Sequence, residues 1–125
     1  NESAAHVSEN GRMTVMFCSF GKQPLIMRLY GKAEVVHPRD EGWAGLLALF
    51  PEHPGARQIF RLPLDLVLTS CGYAVPRYEL CDPRPTLKKW TQNKGAEGIE
   101  RYWREKNLAT LDGKPTGILG DTDQH

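Results

Sequence analysis

The sequence predicts a mainly β chain with helices, a small antiparallel β-barrel plus α fold, on three observations. Apolar strand-like segments occupy residues 12–20, 25–37 and 57–71. Turns rich in glycine and proline separate them, as is typical of short antiparallel connections. Residues 38–56 and 84–108 instead repeat their apolar side chains at helical spacing. With 125 residues, of which 40% are hydrophobic, the chain can bury one modest core.

The chain opens with a predicted short helix followed by a strand. Asn1 or Ser3 can cap the helix, and Gly11 ends it. The strand over residues 12–20 carries apolar side chains on both faces, which predicts a central position in a sheet.

The second predicted strand, residues 25–37, contains a glycine and two cations. Gly31 indicates a bulge or a close approach of another backbone. Arg28 and Lys32 share one face of this apolar strand by their even spacing. Such long cations either reach water at the end of a barrel or meet an anion.

The next segment predicts a helix and its exit. Asp40 and Glu41 are placed in the first turn, where the helix dipole favours acidic side chains, and Pro51 and Pro54 end the helix. Isolated histidines are interpreted as capping or surface groups: His6, His37 and His53.

The third predicted strand, residues 57–71, is interrupted by a proline, which indicates a bulge or an edge near residues 61–63. Residues 84–108 predict two helices with a break at Gly95, and Thr86 is a candidate cap.

These elements form one predicted domain, residues 1–111, which includes the C-terminal helices. Residues 112–125 are rich in glycine, aspartate and threonine, and we predict that they form a flexible tail.

Charge and cysteine content limit the partners and the compartment. Sixteen basic against fifteen acidic residues leave a net charge of +1, so no global field favours nucleic acid or a membrane surface. No stretch is long and apolar enough to predict a membrane span. Cys18, Cys71 and Cys81 form no CxxC pair, so we predict no metal site, three free thiols and a cytoplasmic protein.

The segment TSCGYAVP, residues 69–76, raises the question of a nucleophile, a metal ligand or the wall of a binding site. Ser70 has no GxSxG context, and no histidine is placed as a base for Cys71. P-loop and dinucleotide fingerprints are absent from the sequence. The residues alone therefore predict a small barrel that binds a ligand, with catalytic residues unknown.

Several segments together resemble one known family. The segments NESAAHVSENGRMTVMFC, IMRLYGKAEVV, LLALFPEHPGARQIF and LTSCGYAVP are similar to a subgroup of the pyridoxamine 5'-phosphate oxidase-like proteins, the FMN-binding split barrels. The resemblance extends from residue 1 to about residue 113. It implies an antiparallel split barrel, a homodimer, and FMN in clefts between the subunits. It also implies that this chain begins late and is N-terminally incomplete as a barrel.

The resemblance further implies where a cofactor would bind. In oxidases of the family a serine, an arginine and a lysine near one helix start hold the FMN phosphate, whereas this chain has Asn1, Glu2 and Ser3 there. Arg28 or Lys32 could compensate from the neighbouring strand, and the TSCGY segment would form either cleft wall or only a turn at the barrel rim. The predicted cofactor-binding residues are Asn1, Ser3, Arg28, Ser70, Cys71 and Gly72.

Three functions stay open at this point. The first is an FMN-dependent oxidoreductase acting on a small molecule of unknown identity. The second is a module that holds FMN, deazaflavin or haem without turnover, and the third is an interaction protein with a decayed flavin site. Because the phosphate-binding cations of the family are replaced, we expect weak flavin binding by this chain.

Overall fold

The computed structural model describes residues 1–120 and contains antiparallel sheets plus helices. One sheet has three strands in the order β1-β2-β5, and a second pairs β3 with β4. This arrangement agrees with the predicted fold class and corresponds to a partial split barrel that is not closed. The elements in chain order are α1 (Glu2–Asn10), β1 (Arg12–Cys18), β2 (Ile26–Lys32), β3 (Glu34–Val36), α2 (Trp43–Leu47), β4 (Ile59–Arg61), β5 (Leu64–Ser70) and α3 (Thr86–Lys106).

The three-stranded sheet is antiparallel throughout. Its first pair runs from Arg12 opposite Lys32 to Cys18 opposite Ile26, and Ile26 also lies opposite Ser70 of β5. The central strand is thus β2, and β1 lies at an edge of this sheet. The prediction that β1 is central is wrong: its two apolar faces reflect surface that this sheet leaves open, not a neighbour on each side.

Two of the predicted strands are each divided in two. The second predicted strand is divided into β2 and β3, and the register of β2 against β5 shifts between Tyr30 and Gly31, which confirms the irregularity predicted at this glycine. The third predicted strand is divided into β4 and β5 across Leu62 and Pro63, where the sequence indicated a bulge or an edge. A proline has no N–H to donate to a ladder, so a break there is expected.

Helix α1 begins and ends where the sequence predicted. Asn1 occupies the N-cap position without a side-chain capping bond, and Gly11 takes the left-handed conformation with φ of 72°. The Gly11 N–H donates to the carbonyl of Val7 at 2.7 Å. Because only glycine adopts this conformation readily, it ends the helix and directs the chain into β1.

Helix α2 is shorter than predicted, and the expected placement of Asp40 in its first turn is wrong. Asp40 precedes the helix, and its carboxylate accepts the backbone N–H of His37 at 2.7 Å. Gly42 then takes a left-handed conformation with φ of 86° just before Trp43. The carboxylate therefore stabilises a turn of the preceding loop, because local side-chain to backbone bonds compete with helix formation.

Helix α3 contains the predicted break. Gly95 has φ of 65° and ψ of 175°, which separates the helix into two halves. The helix begins at Thr86 with Pro85 in the N-cap position, so Thr86 is not the cap. Proline is favoured near a helix start because its missing N–H would have no helical partner there.

The chain folds back after α3. Thr116 is buried and its hydroxyl donates to the carbonyl of Asn107 at 2.5 Å. Arg39 donates to the carbonyls of Gly117 at 2.6 Å and Ile118 at 3.0 Å. Defined contacts therefore reach well into the segment that the sequence predicted to be a flexible tail; its last five residues, 121–125, lie outside the described residues.

The buried core of the described residues is small, and its apolar residues lie outside β1, β2 and β5. Helix α1 packs against β3 and β1, while every residue of β5 is exposed. Within the described residues, no helix is both long and apolar enough to cross a bilayer. The buried apolar residues are Ala4, Ala5, Val7, Ala33, Val36, Ile99 and Ile118.

Candidate functional site

Two of the predicted cofactor-binding residues meet on the three-stranded sheet. Arg28 Nη1 donates to Ser70 Oγ at 3.1 Å. Ser70 lies opposite Ile26 in the register, so Arg28, two residues further along β2, projects from the same face. The register of β2 against β5 therefore brings a guanidinium and a hydroxyl together at the exposed end of the sheet.

The TSCGY segment forms the exit from β5. Gly72 is buried, and a Cβ built on it would lie 2.8 Å from the backbone nitrogen of Leu25. The close approach that requires glycine is thus to the chain itself. A turn follows, in which the Val75 N–H donates to the Gly72 carbonyl at 2.9 Å. Cys71 is exposed beside this turn as a free thiol.

The remaining predicted residues lie on a different element. Asn1 and Ser3 are at the start of α1, which packs on β3 and β1, whereas the Arg28–Ser70 pair spans β2 and β5. The Glu2 carboxylate beside them accepts the Leu111 N–H at 3.3 Å. Asn1 Oδ1 is buried and accepts no hydrogen bond from the described residues. An acceptor and a carboxylate at this helix start do not favour a phosphate.

A group of exposed side chains close to α1 was not predicted. Glu2, His6 and Asp112 bring one potential ligand atom each to within 4.8 Å of one another. The Asp112 carboxylate already accepts from the Thr110 hydroxyl at 2.5 Å, and Lys114 Nζ lies 3.9 Å from it. These bonds and the nearby cation account for the cluster without a metal ion.

Comparison with known proteins finds one curated relative of this chain. No family model matches the sequence, and no solved structure matches it. A curated relative from Aspergillus flavus, named pyridoxamine 5'-phosphate oxidase family protein ustO, is 37% identical over 131 aligned positions that cover 91% of this chain. The chain is thus similar to a named member of the pyridoxamine 5'-phosphate oxidase family. It spans about half, 52%, of the length of that relative.

This similarity confirms the resemblance inferred from the sequence. Pyridoxamine 5'-phosphate oxidase-like proteins are the family to which the TSCGYAVP and FPEHPGAR segments were compared, and both segments lie within the described residues. The open sheet β1-β2-β5 is consistent with part of the split barrel expected for that family.

One histidine predicted as a capping or surface group, His37, is buried instead. His37 is 5% exposed, with Nδ1 3.5 Å from Asp40 Oδ2 and 3.4 Å from Arg39 Nη2. Burial, reinforced by the Arg39 charge, lowers the pKa of His37. The hydrogen bond from the His37 N–H lowers the pKa of Asp40. The sequence contains no signal for this burial, since the loop is joined by Arg39 to the carbonyls of residues 117 and 118, far away in the chain.

A second feature that sequence reasoning missed is a cavity of about 470 Å³ lined by α3 and residues 53–57. Its aromatic side chains are those of Trp90, Tyr102 and Trp103. The signal available in the sequence was their helical spacing on both sides of Gly95.

Proposed function

We propose that this chain supplies part of an FMN-binding site in a flavin-dependent oxidoreductase of the pyridoxamine 5'-phosphate oxidase family, with its substrate still to be identified. The Arg28–Ser70 pair carries the proposal. It joins two residues that were expected at the cofactor and that lie on the adjacent strands β2 and β5. The name of the Aspergillus flavus relative supports the same family chemistry.

The residues of this pair fit an anionic group. An arginine carries five N–H donors in a planar fork, and Ser70 occupies only one of them in the bond at 3.1 Å. The remaining donors and the serine hydroxyl could hold a phosphate through charge-assisted hydrogen bonds. Asn1 and Ser3 stay secondary candidates, because the Glu2 carboxylate lies between them in the chain.

FMN, when bound, supplies the redox chemistry. The contribution of this chain would be to bind and orient the flavin through Arg28 and Ser70. Gly72 would act indirectly, since its contact with the Leu25 backbone fixes the turn that follows Ser70. The exposed Cys71 borders the same turn and is a proposed part of the cleft wall.

Glu2 favours the alternative function, a cofactor-binding or interaction protein whose flavin site has decayed. Its carboxylate stands where oxidases of the family carry a basic residue, and a negative charge at a helix start opposes phosphate binding. The two functions differ in redox turnover: bleaching of bound flavin by a reduced nicotinamide supports the oxidoreductase, and bound flavin that never bleaches supports the alternative.

Titration of FMN, followed by quenching of its fluorescence, tests the proposed site. We expect the 125-residue chain to bind FMN more weakly than micromolar, and Arg28→Ala to weaken binding at least about tenfold, since a bond to a charged group contributes about 1.5 to 3 kcal/mol. Arg77→Ala, which removes an exposed arginine beside Phe20 and Tyr78, is the matched control and should bind like the unaltered chain. Equal affinity for FMN in Arg28→Ala and Arg77→Ala would contradict the proposed site.

We also propose that the protein is a homodimer. β5 is exposed along its whole length, and Phe17, Leu66 and Val67 are each more than half exposed, which is unusual for a monomeric surface. Light scattering should give the dimer mass for the unaltered chain and the monomer mass for Leu66→Lys. Leu111→Lys, at a turn leucine that is 99% exposed, should stay dimeric; a monomer mass for the unaltered chain contradicts the proposal.

We place the protein in the cytoplasm, where thiols stay reduced. Cys18, Cys71 and Cys81 are free, and the last two are exposed. Alkylation in a freshly prepared cell extract should modify Cys71 and Cys81 without prior reduction. Protection of either residue until a reductant is added would contradict this placement.

A further inference from the structure

We propose that the cavity between α3 and residues 53–57 binds a flat aromatic ligand carrying an anionic group. This site is separate from the Arg28–Ser70 pair and does not depend on the proposed flavin function. Its volume of about 470 Å³ lies within the range of about 300 to 1,000 Å³ usual for small-molecule sites.

The break in α3 builds the aromatic wall of the cavity. Trp90 comes from the half of the helix before Gly95, and Tyr102 and Trp103 come from the half after it. Because Gly95 leaves the helical conformation, both halves turn an apolar side toward the same space. Trp90 and Tyr102 meet edge to face, with ring centroids 5.1 Å apart and planes at 79°.

This wall suits a flat ring. Edge-to-face and offset arrangements are the favourable ones for aromatic pairs, and a ligand ring can extend the Trp90–Tyr102 pair in the same geometry. Trp90 is still 37% exposed, so apolar aromatic surface is available to a ligand. Thr91 and Ile99, both buried, complete the deeper lining.

The polar groups around the cavity indicate the sign of the ligand's charge. Among the described residues that line it, Arg57 is cationic and none is acidic. Arg57 Nη1 donates to Asn107 Oδ1 at 3.0 Å, which fixes the guanidinium and leaves its other N–H groups for a carboxylate. Lys94 Nζ adds a second cation, 5.7 Å from the centroid of Trp90.

The loop side of the cavity is held close to the helix. His53 Nδ1 accepts the Gly55 N–H at 3.2 Å, which leaves Nε2 as the second polar atom of this ring. A Cβ at Gly55 would lie 3.0 Å from Thr91 Cγ2, so glycine lets the loop approach α3. Arg57 and His53 are thereby positioned opposite the aromatic wall.

Three small probes separate the contributions of charge and ring. Benzoate has both, benzamide keeps the ring without the charge, and cyclohexanecarboxylate keeps the charge without the flat ring. Tryptophan fluorescence can follow binding, because Trp43→Phe leaves only the two tryptophans of the cavity, Trp90 and Trp103. We expect benzoate to bind at least about tenfold more tightly than either of the other probes.

Variants then assign the two contributions to residues. Arg57→Gln should abolish the preference for benzoate over benzamide, and Trp90→Leu should abolish the preference for benzoate over cyclohexanecarboxylate. Arg77→Gln, at an arginine of a different hollow, should change neither preference. Arg28→Ala should leave benzoate binding intact, which separates this site from the proposed flavin site.

The outcomes that overturn the proposal are equal affinity for all three probes, or no saturable binding of benzoate. Circular dichroism of each variant checks folding, because Arg57→Gln also removes the bond to Asn107. If Arg57→Gln does not fold, the probe comparison on the unaltered chain still decides the proposal.

Discussion

Gly31 lies directly against the carbonyl oxygen of Pro63, where the pairing of β2 with β5 changes register. A Cβ at position 31 would overlap that oxygen and would also approach the Leu62 side chain at 3.0 Å. Gly31 in β2 and Pro63 between β4 and β5 therefore belong to the same irregularity of the sheet. It separates β4 from β5 and sets which residues of β5 face Arg28.

Replacement of this glycine should disturb the whole sheet. For Gly31→Ala we expect a loss of about 1 to 3 kcal/mol in the free energy of unfolding, because the backbone must move to relieve the overlap. Urea denaturation measures it. Gly45→Ala in α2 is the matched control, since nothing lies within 4 Å of the added Cβ, and it should leave stability unchanged or raise it by about 0.5 to 1 kcal/mol.

Gly95→Ala tests the break in α3. A residue with φ of 65° and ψ of 175° is in a region that is essentially restricted to glycine, at a cost of about 1 to 3 kcal/mol for other residues. Thermal unfolding should show this loss. Gly98→Ala, at a regular position of the same helix, should instead stabilise by about 0.5 to 1 kcal/mol; equal effects at both positions would contradict the assigned conformation.

Thr116→Val tests how firmly the C-terminal segment is held. The hydroxyl of this 2% exposed residue donates to the carbonyl of the buried Asn107 at 2.5 Å, and its removal takes away that donor. We expect a loss of about 1 to 3 kcal/mol in unfolding free energy. Thr69→Val makes the same change at an exposed strand position and should be nearly neutral, so an equal loss there would argue against the buried bond.

Acidification should destabilise the protein through His37. Its pKa is lowered in the folded state from the ordinary value of 6.5, so below about pH 6.5 the unfolded chain binds more protons than the folded protein. Stability is therefore intact above that pH, falls as pH drops below it, and stops falling once the folded-state pKa is passed.

Urea denaturation between pH 5 and 8, a range of about three units around the histidine pKa, measures this dependence. His37→Gln should flatten the curve, whereas His6→Gln, at an exposed histidine, should keep it. Asp40 acts at lower pH: its pKa is lowered from 3.8, so its contribution persists above that value and is lost only on further acidification.

Local features of the fold could be predicted from the sequence. The end of α1 at Gly11 and the break at Gly95 follow from the conformational freedom of glycine, which acts at its own position. The irregularity at Gly31 follows from its missing side chain, and the division near Pro63 from a missing N–H. These predictions succeed because the residue type itself indicates each feature.

Features that depend on distant contacts were not predicted. β1 has the composition of a central strand, yet it lies at an edge because β2 pairs with β5 on its other side. The loop that holds the buried His37 is joined by Arg39 to the carbonyls of residues 117 and 118, far away in the chain. The bond between Arg28 and Ser70, 42 residues apart, depends on the register of two strands that no local pattern specifies.

The open sheet has a consequence for handling the polypeptide. In the three-stranded sheet of the described chain, β1 and β5 each have one side without a neighbouring strand, and an unpaired edge is a template for pairing with another chain. Apolar side chains on β5 add attraction to that template, because Leu64, Leu66, Val67 and Leu68 are about half exposed. Colloidal stability should therefore be low: concentrated samples should precipitate on warming, and one charged side chain introduced at an outward position of β5 should improve solubility more than the same charge placed on α3.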